Sequence, residues 1–234
     1  MTRLFVLRPQ PGADRTADKA GIMGLDAHIH PLFVARPIEW QPPAVADFDA
    51  VLLTSAHAVR LSGDGLLLYA GLPVYAVGQA TASALQARGM EPTVTGESDG
   101  SAIAASIAAD GRHAVLHLGG TTVAPIDAGS LRISHVAVYT MAGADPAPDL
   151  ANLLENDDII LVHSPRAGER LSALLPPSKR MERHVVAISP AALLACGVGW
   201  ASGQAAQNPQ DDEMLALAAR LCEGRQRQSG KGSA

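Results

Sequence analysis

The chain has 234 residues, 47% hydrophobic but only 3% aromatic, with a formal net charge of -5. That is enough apolar material for two small cores or one large one, built from Ala, Val, Leu and Ile. Scattered Lys and Arg give no basic face for nucleic acid, strand-sized apolar runs give no membrane span, and residues 1–9 lack the apolar stretch of a secretion signal.

In chain order, residues 4–7 form a short apolar run, read as a buried strand. Pro9 and Gly12 end it, and residues 13–23 have helical spacing before a second strand over 27–34. Residues 49–55 make a strand running into a turn and helix, followed by a strand over 74–78, an Ala/Leu-rich helix and an apolar helix over 103–109. The first pattern then returns: a strand over 115–118, the turn 119–122, a helix, and a strand over 136–139. The second pattern returns as strands over 158–164 and 185–189, an Ala/Leu-rich helix, and an apolar helix over 214–221. The stretch 223–234 is polar and rich in Gly, Gln and Ser, and is expected to be a disordered tail.

A pattern of this size occurring twice indicates a duplicated domain rather than a solenoid. Strands alternating with helices predict an α/β fold with parallel sheets covered on both faces. The order is A, B, A′, B′. The middle pair can close a continuous domain while the outer pair forms a discontinuous one, or the chain can divide into A with B and A′ with B′. Composition permits both.

Each strand runs into a small or hydroxylated turn that opens a helix. The turns are Arg8 to Gly12, Thr54-Ser55-Ala56, Gly78-Gln79-Ala80-Thr81, Gly119-Gly120-Thr121-Thr122, Ser164-Pro165-Arg166 and Ser189-Pro190-Ala191. In a parallel sheet these ends share one edge, and free N–H groups at helix starts attract anions. Any one turn reads as an ordinary helix cap. Taken together they predict a ligand with several separated carboxylates or phosphates. Gly119-Gly120-Thr121-Thr122 lacks the lysine of a phosphate loop and the spacing of a dinucleotide fingerprint. No HExxH or Cys/His cluster accompanies His28, His30, His113 or His117, so no metal is expected and these read as core or surface histidines. Ser55 with His57 lacks a nucleophile elbow, so Ser55 reads as a cap. Cys196 and Cys222 form no CxxC pair and suit a reducing compartment.

The run Phe48-Asp49-Ala50-Val51-Leu52-Leu53-Thr54-Ser55-Ala56-His57-Ala58-Val59 resembles the F-D-x-[apolar]-[apolar]-x-T-S-x-x-A-V signature of the uroporphyrinogen-III synthase family. Val77-Gly78-Gln79-Ala80-Thr81-Ala82 resembles its V-G-x-x-T-A turn. Leu7-Arg8-Pro9, Pro31-Leu32, Gly119, Val138-Tyr139 and Ser164-Pro165 fall in the family's order, so the resemblance covers residues 3–221. It departs at Ser189-Pro190-Ala191-Ala192, where the family usually keeps Gly-Pro-Thr-Thr.

The resemblance implies a discontinuous domain of residues 1–34 plus 144–222, a second domain of 41–137, and linker strands over 35–40 and 138–143. It implies a cytoplasmic, monomeric lyase with no cofactor. The implied reaction closes hydroxymethylbilane, a linear tetrapyrrole with eight carboxylates, into uroporphyrinogen III, losing water and inverting the last ring. The turns above, with Arg8, would hold the carboxylates through backbone N–H groups. Most of the catalysis would be positioning, and a weak acid would assist hydroxyl departure. Tyr139 is the candidate acid, the alternative being a packed linker tyrosine. Two other readings are a two-lobed small-anion-binding protein and a nucleotide-sugar enzyme. The first would need a secretion signal and the second a nucleotide turn or metal-binding carboxylates.

Overall fold

The computed structural model describes residues 2–96, 99–145 and 147–229. The chain forms β1 (Arg3–Val6), α1 (Gly12–Ile22), β2 (Asp26–Ile29) and β3 (Phe33–Pro37). It continues with β4 (Ala50–Leu53), α2 (Ala56–Leu61), β5 (Val74–Val77), α3 (Gln79–Gln86), β6 (Val94–Gly96), α4 (Gly100–Ala109), β7 (Ala114–Gly120) and β8 (Arg132–Gly143). The last stretch holds α5 (Leu150–Leu153), β9 (Ile159–Val162), α6 (Pro165–Leu174), β10 (His184–Ala187), α7 (Pro190–Ala195), β11 (Ser202–Ala205) and α8 (Asp211–Ser229).

Two sheets result, with orders β11-β10-β9-β1-β2 and β3-β8-β7-β4-β5-β6. Every pair in the first sheet is parallel. In the second, β8-β7, β7-β4, β4-β5 and β5-β6 are parallel. The Ile38 N–H donates to the Val138 carbonyl and the Ala144 N–H to the Leu32 carbonyl, so β3 runs against β8. The chain divides into two compact units, residues 1–34 with 143–234, and residues 35–142.

The central strands are continuous apolar runs because both faces are covered. Ala50 to Leu53 and Ile159 to Val162 are fully buried. In the first unit Leu4, Val6, Ile159, Leu161 and Val186 pack with Ala13 and Ala20 of α1 and Met214, Leu215 and Ala218 of α8. In the second, Ala50, Leu52, Tyr75 and Val115 pack with Ile103, Ala104 and Ile107 of α4. The opposite face carries Val51, Leu53, Ala76, Leu116 and Leu118 against α2 and α3.

Three local expectations change. The strand expected over 27–34 is two strands, because Pro31 has no N–H to continue the ladder. No helix lies between β7 and β8. Pro125 interrupts that stretch, Gly129 takes φ 52°, and Asp127 Oδ1 accepts the Gly129 N–H at 3.1 Å. Ile126 from this loop packs on the cluster a helix would have covered. The tail expected to be disordered from residue 223 instead continues α8 to Ser229. Asp211, Asp212 and Glu213 favour the start of that helix, and Gln and Arg are good helix formers. Residues 230–234 of that expected tail lie outside the described residues.

Strand order fixes where a ligand can enter. In the first sheet the chain steps outward from β1 to β2 on one side and from β9 to β11 on the other. In the second it steps from β4 to β6 on one side and from β7 to β8 on the other. The reversals lie between β1 and β9 and between β4 and β7. Such a reversal leaves a crevice at the strands' carboxyl ends, flanked in the second unit by α2 on one face and the loop carrying Ile126 on the other.

Two glycines report on the packing. A Cβ on Gly168 of α6 would lie 2.7 Å from the Ala192 carbonyl oxygen of α7, whereas one on Gly21 of α1 meets nothing within 4 Å. Gly168→Ala is expected to destabilise by about 1–3 kcal/mol. Gly21→Ala is expected to stabilise by up to about 1 kcal/mol. Chemical denaturation of both variants checks the two signs.

Candidate functional site

The β4–β7 edge of the second unit gathers several residues singled out by sequence. β4 pairs Leu53 with Leu118 and β5 pairs Ala76 with Leu53, so Thr54 and Gly119 follow at one level with Val77, and Ser55, Gly120 and Gly78 at the next. Gly120 pairs with Tyr139 across a register irregularity. A Cβ on Gly120 would sit 2.9 Å from Tyr139 Cζ, so glycine is what lets this ring lie over the strand end. Tyr139 combines features of both expectations for it. The residue is 8% exposed and belongs to the core cluster, yet it stands at the strand-end level of the turns. Its ring lies 5.5 Å from that of His57. The Tyr139 carbonyl accepts the Thr121 N–H at 2.9 Å, and Thr121 Oγ1 is 3.0 Å from Thr140 Oγ1.

Three hydroxyls at these turns are used by their own helices. Ser55 Oγ accepts from the His57 N–H, Ser164 Oγ from Ala167 N–H and Ser189 Oγ from Ala192 N–H, at 3.2, 3.1 and 3.3 Å. These are helix caps. Ser55 thus caps α2 through the His57 backbone N–H, as expected of it. Pro165 and Pro190 occupy the first helical turn. Ala56 is buried, and Ala191 is exposed at the start of α7.

Gly78 is different. It takes φ 80°, a left-handed conformation that favours glycine, and provides no side-chain cap. The Thr81 and Ala82 N–H groups close on the Gly78 carbonyl, leaving the Gln79 and Ala80 N–H groups at the helix start. Gln79 is exposed, while Thr81 is only 3% exposed within α3.

At the β1–β9 edge of the first unit, Val6 pairs with Leu161, which brings the Arg8 and His163 turns alongside each other. Ser164 and Ser189 follow the adjacent β9 and β10. Arg8 is held by an acidic partner that the sequence did not mark. Its Nη1 donates to Asp211 Oδ1 and Oδ2 at 2.9 and 3.0 Å. Thr16 Oγ1 is 3.0 Å from Asp211 Oδ2, and His163 Nε2 is 3.1 Å from Asp211 Oδ1. Gly12 makes room for this arrangement, since a Cβ there would lie 2.6 Å from Arg8 Nε. Arg166 is exposed, with its guanidinium 4.4 Å from the Phe33 ring centre.

Burial alone would raise the Asp211 carboxyl. Hydrogen bonds from His163 and Thr16 and the charge of Arg8 outweigh it and hold the group at about 2. Burial pushes His163 below its ordinary value, partly opposed by Asp211. In the second unit, burial and then neighbouring His135 push His117 down to about 4. His117 Nε2 is 3.0 Å from Thr54 Oγ1. Sequence reasoning took His117 as a core or surface histidine, and the structure adds its hydrogen bond to a strand-end hydroxyl. His28 and His30 stack on Phe5, at 5.6 and 5.3 Å, rather than converging as ligands. Among the described residues, no group of three or more His, Cys, Asp or Glu side chains could hold a metal ion.

The Asp211 arrangement has a pH signature. Its folded pKa lies below the ordinary 3.8, so its contribution is present above 3.8 and is lost as pH falls from there through about 2. The expected size is about 2 kcal/mol. Acid unfolding of Asp211→Asn should show a shallower loss of stability across that window than the unaltered protein. Equal slopes would contradict the assignment.

A family model described as uroporphyrinogen-III synthase HemD matches residues 14–216. No curated protein matches the chain by sequence. Among solved structures, the chain is similar to uroporphyrinogen-III synthetase from Helicobacter pylori. The TM-score is 0.59 at 18% identity, covering 94% of this chain and 100% of that one. A mutant uroporphyrinogen III synthase from Thermus thermophilus aligns with TM-score 0.46 and 14% identity, covering 96% and 100%. The first likeness concerns the fold, an α/β arrangement of two mostly parallel sheets, and the family rests on the sequence match. That match spans most of the chain, and the chain therefore belongs to the uroporphyrinogen-III synthase family, cyclising lyases of tetrapyrrole and heme biosynthesis.

Proposed function

We propose that this chain closes hydroxymethylbilane to uroporphyrinogen III by holding its carboxylates on main-chain donors and assisting departure of its hydroxyl group with Tyr139. The observation that carries the reading is the seat of Tyr139. Its ring rests over Gly120, beside His57, at the level of the Thr54 and Gly78 turns. A phenol there can hydrogen-bond to a leaving hydroxyl and pass it a proton.

On this reading a pyrrole nitrogen supplies the electron pair, the C–O bond breaks, and the oxygen leaves as water with the proton that Tyr139 helps to deliver. The azafulvene that remains is attacked by the substituted carbon of the last pyrrole. The spiro intermediate opens and recloses with that ring inverted. The proton lost on rearomatisation restores the phenol. The main contribution of the chain is to exclude the simpler head-to-tail closure by fixing the last ring, which is a matter of orientation.

The proposed carboxylate-holding groups are the turns at Thr54 to Ala56, Gly78 to Thr81, Gly119 to Thr121 (apart from the Thr121 N–H, which the Tyr139 carbonyl takes), Ser164 to Arg166 and Ser189 to Ala191, together with Arg8. Each capping serine accepts a helix N–H on its Oγ, and its turn backbone supplies further donors. The boundaries of the two compact units support domains of residues 1–34 plus 144–222 and 41–137, with 35–40 and 138–143 as linker strands. The reading includes a cytoplasmic monomer that needs no cofactor. Free Cys196 and Cys222 suit a reducing compartment, and no helix among the described residues is long and apolar enough to cross a membrane.

Three measurements test this. Tyr139→Phe is expected to lower turnover with the fold intact, by about 10-fold or more. Unchanged turnover would leave Tyr139 as packing. Treatment of the purified protein with a chelator should leave its activity in place, and a loss restored by added metal would count against a cofactor-free reaction. Gly78→Val should cost more activity than Ser55→Ala at similar folded yield. The left-handed backbone of Gly78 resists a branched side chain, whereas the Ser55 cap is worth only about 1 kcal/mol. The reverse order would mean that hydroxyls, not backbone donors, hold the carboxylates.

A further inference from the structure

The interior of β7 carries a polar residue that positioning of carboxylates by backbone donors does not use. His117 is 2% exposed and lies between Leu116 and Leu118. It pairs with Leu52 of β4 on one side and His135 of β8 on the other. Thr54 lies two residues beyond Leu52 and Gly119 two beyond His117, so their Cα positions share that face. The missing side chain at Gly119 opens the space the ring leans into. A Cβ there would be 2.9 Å from His135 Nε2 and 3.4 Å from His117 Nε2. The His117 ring therefore reaches along its strand toward the carboxyl-end edge, where Nε2 meets Thr54 Oγ1 at 3.0 Å.

We infer that His117 is a positioning residue for the synthase reaction, donating from Nε2–H to Thr54 Oγ1 so that the Thr54 hydroxyl proton is directed outward to a substrate carboxylate. The inference rests on the proposed role of the Thr54 turn. A hydroxyl has one proton to give. If Nε2 were the acceptor, that proton would point inward and Thr54 would present only lone pairs to an anion. The protonation of His117 lies at about 4, so at neutral pH the ring is uncharged and carries one proton, on one nitrogen or the other. His117 also lines a pocket of about 520 Å³ with Val123, Pro125, Ile126 and His135.

The test combines nitrogen NMR of His117 in the whole protein with steady-state kinetics on hydroxymethylbilane. The expected ground state is the Nε2–H tautomer. His117→Leu should raise KM about tenfold with kcat within about twofold. His117→Gln, whose amide can donate from a similar place, should stay within about threefold of the unaltered KM. Thr54→Val should match His117→Leu, and the double variant should add nothing further. An Nδ1–H tautomer, a Gln variant as impaired as the Leu variant, or multiplying effects in the double variant would overturn the inference. Should His117→Leu fail to fold, the tautomer and the Gln and Val variants decide. If the unaltered protein forms no uroporphyrinogen III, the functional reading fails by itself, while the tautomer still decides the direction of this hydrogen bond.

Discussion

Parallel strand pairing is the constraint on which the rest of this molecule depends. Because β1, β2 and β9 to β11 run in one direction, all their carboxyl ends meet one edge of their sheet. The parallel set from β4 to β8 does the same in the second unit. The helices that must cover both faces then start from that edge, and their N-terminal N–H groups collect there. A catalyst that works by holding a polyanion needs such donors more than it needs reactive side chains.

The two units use that edge differently. Around β1 and β9, the polar side chains satisfy one another: Arg8, Thr16 and His163 converge on Asp211, which ties the start of α8 to the β1 turn. Around β4 and β7, small residues keep space open. Gly119 admits two imidazoles and Gly120 admits the Tyr139 ring. Gly78 begins α3 without a side-chain cap. Serine caps occur in both units, and each satisfies its own helix first.

What the sequence made legible follows from locality. Four-residue apolar runs ending in a hydroxyl or glycine, as at Leu53-Thr54-Ser55 and Val162-His163-Ser164, announce a buried strand and the helix after it. β6, with Val94-Thr95-Gly96, and β11, with Ser202-Gly203-Gln204-Ala205, are edge strands without apolar runs and carried no such signal. The helix expected between the 119–122 turn and the strand over 136–139 rests on the duplicated pattern alone, and Pro125 and Gly129 make that stretch a loop. The hydrogen bond between His117 and Thr54 joins positions 63 apart in the chain, and that from Arg8 to Asp211 joins positions 203 apart. No local pattern announces partners at such distances. They are set by strand order, which appears only once the sheets are assembled.

Ring-isomer analysis after incubation of the purified protein with hydroxymethylbilane tests the account most directly. An enzyme that fixes the last ring must yield the inverted isomer, uroporphyrinogen III, in large excess over a protein-free control. The non-inverted ring alone, formed at the uncatalysed rate, would contradict it.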